Sequence, residues 1–286
     1  MKFCLLCKEN EANKKGSHIV PHFLLRRIEN IEGKTDRGYE LGFLIGEANT
    51  DSYFGRSVPI EELDKVYGEL TDNEIGQNKH PLVVDYFFCS ECEDRFAKIE
   101  SEYANTLRKS DNKIYDSGIA SELALLFWAS VIWRISVNKK SAVELTKKQN
   151  EILRRVLNRC LKEDVSKIDI NKMRKSKDIQ GLSYRLMRWH NLSMKDDTPM
   201  VFHPKFKKPY SLNIGEFILC FSFHDNYNDY LKMDFFGIKD EVSIAPTNSK
   251  YRNERILPID VQKLKEFNMA LIYQIMSDRM NYYNSK

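Results

Sequence analysis

Residues 4–7 read CLLC, and residues 87–96 read FFCSECEDRF. Two residues between a pair of cysteines let both sulfurs reach one tetrahedral ion at about 2.3 Å. Two such pairs, Cys4 with Cys7 and Cys89 with Cys92, therefore point to a closed four-sulfur site holding structural Zn2+. A site of that kind contributes folding free energy directly. The pairs are 81 residues apart, much farther than in a compact zinc module, so the intervening chain must loop out and return. Cys160 in LNRCLK and Cys220 in FILCFSF stand alone in apolar surroundings and read as buried thiols. Met1-Lys2-Phe3-Cys4 offers no secretory leader, so reduced thiols, a soluble protein and a cytoplasmic location are expected in place of a disulfide framework.

The 286 residues fit one large domain or two, and 42% hydrophobic with 12% aromatic content is enough for a substantial core. The net charge of +4 is unevenly spread. Residues 1–100 carry 13 Lys+Arg against 19 Asp+Glu, a net of −6, whereas residues 138–188 carry 15 against 6, a net of +9. Clustered cations of this sort suit a polyanion-facing surface. The longest apolar stretch, IASELALLFWASVIWRISV at 119–137, is about one bilayer span long. Glu122, Ser130, Arg134 and Ser136 interrupt it, so it reads as a buried helix, and no membrane partner is expected. No Gly-rich phosphate loop, nucleophile elbow, internal repeat or heptad run is present, which leaves small-molecule catalysis unsupported.

Between the cysteine pairs lies GSHIVPHFLLRR at 16–27. Ser17-His18-Ile19-Val20-Pro21, framed by Cys4-x-x-Cys7 and Cys89-x-x-Cys92-Glu93, resembles the four-cysteine zinc form of the HNH (ββα-metal) nucleases. The resemblance covers residues 1 to about 103. It is nearest to a bacterial branch with several members among anti-phage defence proteins. It implies a ββα-metal module in which His18 is the general base and Glu93 and Ser17 occupy the two places for a catalytic Mg2+ or Mn2+. The family usually carries Asp or His at the Ser17 place and Asn or His at the Glu93 place. Here the single carboxylate has moved to the helix. Val84 stands where the family has an asparagine that orients the histidine, and Asp85 is the neighbouring candidate for that work. Glu100, seven residues after Glu93, shares its helix face and is a supporting group or a surface charge. His80 is a spare ligand candidate, and His22 is expected at the surface.

Residues 33–85 read as an insertion of strands and loops with an acidic helix near PIEELDKVYGEL. After Cys92 a helix carries Phe96, Ile99 and Tyr103 at helical spacing. Further helices are expected near 118–138 and across TKKQNEILRRVLNRCLKED. In the second of these Ile152, Leu153, Val156, Leu157, Cys160 and Leu161 form one stripe. Lys147, Lys148, Arg154, Arg155 and Arg159 fall mostly outside it and are the expected nucleic-acid contacts, with Tyr184, Trp189 and His190 as nearby rings for base stacking. NKMRKSKD adds a third basic helical stretch. Period-two runs over about 198–245 suggest a small antiparallel sheet, and ILPIDVQKLKEFNMALIYQIMSDRMNYY closes the chain as a helix.

The expected architecture is α+β: a zinc-bound HNH-like module over 1–103, then a helical domain with a small sheet over 104–286. The expected function is a metal-dependent endonuclease acting on DNA, with a regulatory protein as a further expected partner. The other class in play is a catalytically degenerate zinc module that recognises nucleic acid or a protein.

Overall fold

The computed structural model describes residues 2–24, 37–45, 50–109, 115–138, 143–189, 201–207, 209–223 and 253–285. The chain is α+β. Its N-terminal part is built round a short antiparallel pair, β1 (Ser17–His18) with β4 (Val83–Val84), in which Ser17 faces Val84 and His18 faces Val83. Helix α3 (Ser90–Lys109) follows. Its apolar residues Phe96, Ile99 and Tyr103 recur at helical spacing and are buried, as the sequence indicates.

The segment between β1 and β4 forms a hairpin, β2 (Leu41–Ile45) with β3 (Thr50–Phe54), and two helices, α1 (Ile60–Tyr67) and α2 (Asp72–Gln77). Strands and one acidic helix are expected here, and of the two helices only α1 matches that expectation. The second helix starts at Thr71, whose hydroxyl and Glu74 form a capping box over six residues too few to display an apolar period. This excursion has its own small core of Phe54, Val58 and Leu63.

Helix α4 (Ser121–Val137) is buried on nearly every side, which explains why apolar residues occupy most of its length and not one stripe. Among the described residues no helix is long and apolar enough to cross a membrane. Helix α5 (Lys147–Cys160) buries Leu153, Val156 and Leu157 on the stripe seen in sequence, and Thr146 caps it. The basic stretch after it is not one helix. It divides into α6 (Ile170–Arg174) and α7 (Lys177–Gln180), with Asp169 accepting from Lys172 N–H to start the first.

The sheet is larger than the one expected over 198–245. Six strands lie in the order β5 (Tyr115–Ala120), β10 (Asn253–Pro258), β6 (Ser183–Arg188), β9 (Phe217–Ser222), β8 (Tyr210–Ile214) and β7 (Val201–Lys207). All neighbours are antiparallel except β10 and β6, which run parallel. The expected strand LKMDFFGIKDEVSIA and His190 lie outside the described residues.

Both faces of this sheet are covered, so every residue of β8 and β9 is buried and β9, FILCFS, reads as an apolar run without alternation. Tyr184, Leu186, Phe217, Leu219 and Phe221 face the main core with α4. Met187, Ile218 and Cys220 face the other way, against Leu264, Phe267 and Leu271 of the C-terminal helix α8 (Val261–Asn284). Ile256 and Pro258 belong to β10, so the expected terminal helix begins only after Asp260, whose carboxylate caps it. The boundary expected at 103 falls inside α3, and one buried cluster runs from Cys4 through α3 and α4 to Ile256.

Candidate metal centre

The N-terminal cysteine pair sits in a tight turn. Lys8 N–H donates to Cys4 O at 2.9 Å, Cys4 N–H donates to Asn10 O at 2.8 Å, and Lys8 adopts φ 61° to close the turn. Leu5 N–H donates to Phe87 O at 2.8 Å, which draws this turn onto the second pair. There Asn13 Oδ1 accepts from Ser90 N–H at 3.0 Å and starts α3, so that Cys92 lies in the first helical turn. As a result the four sulfurs of Cys4, Cys7, Cys89 and Cys92 converge within 4.8 Å of one another, all buried. Asn10 adds an outer layer, its N–H reaching Cys7 Sγ at 3.5 Å and its Nδ2 reaching Cys89 Sγ at 3.8 Å. A hydrogen bond from Cys92 holds the Cys4 thiol down at about 4, while the same partnership and burial push Cys92 up. Four buried sulfurs from two Cys-x-x-Cys pairs suit a soft tetrahedral ion such as zinc.

One helical residue past Cys92, Glu93 turns toward β1. Burial raises its carboxyl above the ordinary range, and the approach of the Ser17 hydroxyl as a hydrogen-bonding group lowers it, followed by the charge of Arg134. Yet neither Ser17 Oγ nor Glu93 Oε2, both shielded from solvent, has a partner that meets hydrogen-bond geometry. The hydroxyl and this carboxyl oxygen therefore lie close together, near enough for Ser17 to act on Glu93 but without a well-formed hydrogen bond. Ser17 is 1% exposed, whereas the next residue, His18, is half-buried. Successive strand side chains leave on opposite faces, so it is Ser17 that meets Glu93.

The remaining candidates divide. Asp85 Oδ1 accepts from Gly16 N–H at 2.7 Å, fixing the left-handed turn at Gly16 (φ 68°) immediately before Ser17. Val84 is buried in the strand partner of Ser17. Glu100 forms a 2.6 Å ion pair with Arg134, a residue that sequence reading treated only as an interruption of an apolar run. Arg134 is 1% exposed; its Nη1 donates to His18 O at 3.0 Å, and its guanidinium lies 4.7 Å over the Phe96 ring. His80 is committed elsewhere. Leu82 N–H donates to its Nδ1 at 3.2 Å, and its Nε2 lies 2.6 Å from Glu40 Oε2. His22 is half-buried in a short 3-10 turn, His22–Leu24, and not at the open surface.

Of the expected nucleic-acid contacts, Lys147, Lys148, Arg155 and Arg159 are exposed on α5. Arg154 is not part of that face. Its Nη1 donates to Leu6 O, between the first two cysteines, at 2.7 Å, and its Nη2 pairs with Glu151 at 2.7 Å. Tyr184 and Trp189 are buried in the core, so they are not stacking platforms. Comparison with protein-family models, with curated proteins and with solved structures gave no significant match, leaving this chain's own geometry as the basis for a functional reading.

Proposed function

We propose that the chain is a metal-dependent nuclease of HNH type, in which the zinc-knit β1–β4–α3 unit cuts phosphodiester bonds of DNA. The observation that carries this reading is the pair of buried, unsatisfied oxygens, Ser17 Oγ and Glu93 Oε2, beside the sulfur cluster. A carboxyl oxygen and a hydroxyl that are buried together without a well-formed hydrogen bond fit a hard divalent cation with oxygen ligands. Ser17 and Glu93 would hold Mg2+ or Mn2+, which when bound supplies charge stabilisation at the phosphate oxygens and leaving group. By the motif resemblance His18, whose side chain leaves β1 on the face opposite Ser17, takes the proton of the attacking water, a role suited to an imidazole. Asp85 fixes the turn that precedes both residues, and Arg134 holds the His18 backbone from α4. The zinc site is a structural clip and takes no part in the chemistry. A place in bacterial anti-phage defence rests on the motif resemblance alone.

The test is incubation of supercoiled plasmid with Mg2+ or Mn2+, comparing wild type, His18→Ala and Glu93→Gln at equal zinc content. Loss of a general base costs about 10²–10⁴-fold in rate, so His18→Ala should leave the plasmid intact over the wild-type time course. Equal cutting by both proteins overturns the assignment of His18.

A second reading is favoured by Arg134, whose positive charge already acts on Glu93 without any added ion. In that case the module is a zinc clip that recognises nucleic acid or a protein without cutting. Wild type would then leave plasmid uncut with every divalent ion tried.

A further inference from the structure

Beyond the sulfur cluster, α5 ends at a cleft. Its near wall is the end of α5 with Arg159 and Cys160, and its far wall is the α6–α7 segment. The cavity between them measures about 690 Å³. Ile168, Met173 and Cys160 contribute apolar lining, while Arg159, Lys172, Lys175 and Lys177 supply four cations. The last three are exposed, and among the described residues none of them enters an ion pair. Three acids also line the cleft. Asp169 is occupied in capping α6, and Asp178 is paired with Arg155 at 3.3 Å, leaving Glu163 as the remaining carboxylate. Arg159 Nη2 donates to Ser176 Oγ at 2.7 Å and ties the two walls together. A surface that gathers lysines while committing its acids to caps and pairs is suited to an anion. The exposed Arg155, Lys148 and Lys147 extend the same charge along α5 beyond the cavity, which suits an extended polyanion better than a single compact anion.

We propose that this cleft holds the sugar-phosphate backbone of the polynucleotide, through Arg159, Lys172, Lys175 and Lys177, without reading its sequence. The proposal rests on the hydrolase reading for the nature of the substrate and names where that substrate is gripped. Lysines acting as point charges on phosphates release condensed counterions, so binding weakens with salt.

The experiment uses full-length, zinc-loaded protein with no added divalent ion and a short fluorescein-labelled DNA, single-stranded or duplex, titrated by anisotropy over a range of KCl. Lys172→Glu, Lys175→Glu and Lys177→Glu are combined in one variant, with a triple Gln variant in case charge reversal impairs folding. Zinc content and the melting transition serve as controls. The expected result is a loss of affinity of about tenfold or more and a salt slope shallower by about 3. Unchanged affinity and slope overturn the proposal. So does saturable binding of a mononucleotide or inorganic phosphate in the cleft without binding of DNA, since that marks a small-anion pocket. Plasmid cutting is read separately. Cleft variants that bind normally beside an inactive His18→Ala sink the cleft and spare the nuclease. Wild type that grips DNA through these lysines but leaves plasmid uncut with every divalent ion tried does the reverse.

Discussion

Arg134 Nη1 donates to the main-chain carbonyl of His18 across 3.0 Å, although the two residues are 116 positions apart in the chain. The same guanidinium pairs with Glu100 at 2.6 Å and donates through Nε to Ser130 O at 3.3 Å. One buried cation thereby joins α4 to both β1 and α3. Removing it strands the Glu100 carboxylate and the His18 carbonyl in a poorly solvated space. Arg134→Met, which keeps the volume, is expected to cost about 2–4 kcal/mol. Urea denaturation of the zinc-loaded protein measures this, and a loss below the error of the extrapolation would show that the three contacts contribute nothing.

A second long-range relationship closes the core. Glu254 receives Tyr103 Oη at 2.8 Å, Tyr184 Oη at 2.7 Å and Trp128 Nε1 at 3.1 Å, uniting α3, α4, β6 and β10 on one carboxylate. Burial first, and the nearby Glu254 charge second, push both phenols well above their ordinary value. Between an unfolded phenol titrating near 10 and a folded one titrating higher, the unfolded chain loses protons that the native protein keeps. The contribution is therefore complete below about pH 10 and declines above it, by about 1.4 kcal/mol per pH unit for each phenol. Tyr103→Phe should lower neutral-pH stability but flatten that alkaline slope. Denaturation at a series of pH values from 9 upward measures it, and an unaltered slope would show that Tyr103 ionises freely in the native state.

Arg154 separates two roles that its sequence position leaves mixed. It is bonded to Leu6 O inside the first cysteine turn, and beside it the Glu151 carboxyl is held down at about 2. Arg154→Ala is expected to lower stability by about 1–2 kcal/mol and to speed loss of metal to a chelator. The salt dependence of DNA binding should stay as in wild type. A shallower slope with normal metal retention would return Arg154 to the nucleic-acid face.

What was legible in the sequence follows the range of the interactions. The cysteine pairs were readable because ligand spacing is local and the chemistry of thiolates is narrow. Helices α4 and α5 were readable from an apolar run and a one-sided stripe. The six-stranded sheet was only partly so, because β5, β6 and β10 come from separated segments and no local period records that 183–188 lies between 253–258 and 217–222. Glu254, in the charged stretch NERILP, carries no local sign of its burial, because its three donors lie 70 or more positions away in the chain. Arg134 was hidden in the same way, as a lone cation in an apolar helix. Ser17 and Glu93 were found by motif, but that Ser17 Oγ and Glu93 Oε2 are buried together without a well-formed hydrogen bond is visible only in three dimensions.

The central claim is that four cysteines from the two ends of a long excursion close on one ion and so set Ser17 against Glu93. Zinc X-ray absorption on the purified protein, combined with metal quantitation, tests it most directly. The account predicts one zinc per chain in a shell of four sulfurs at about 2.3 Å. Protein that folds without metal, or a zinc shell containing nitrogen or oxygen in place of a sulfur, would contradict it.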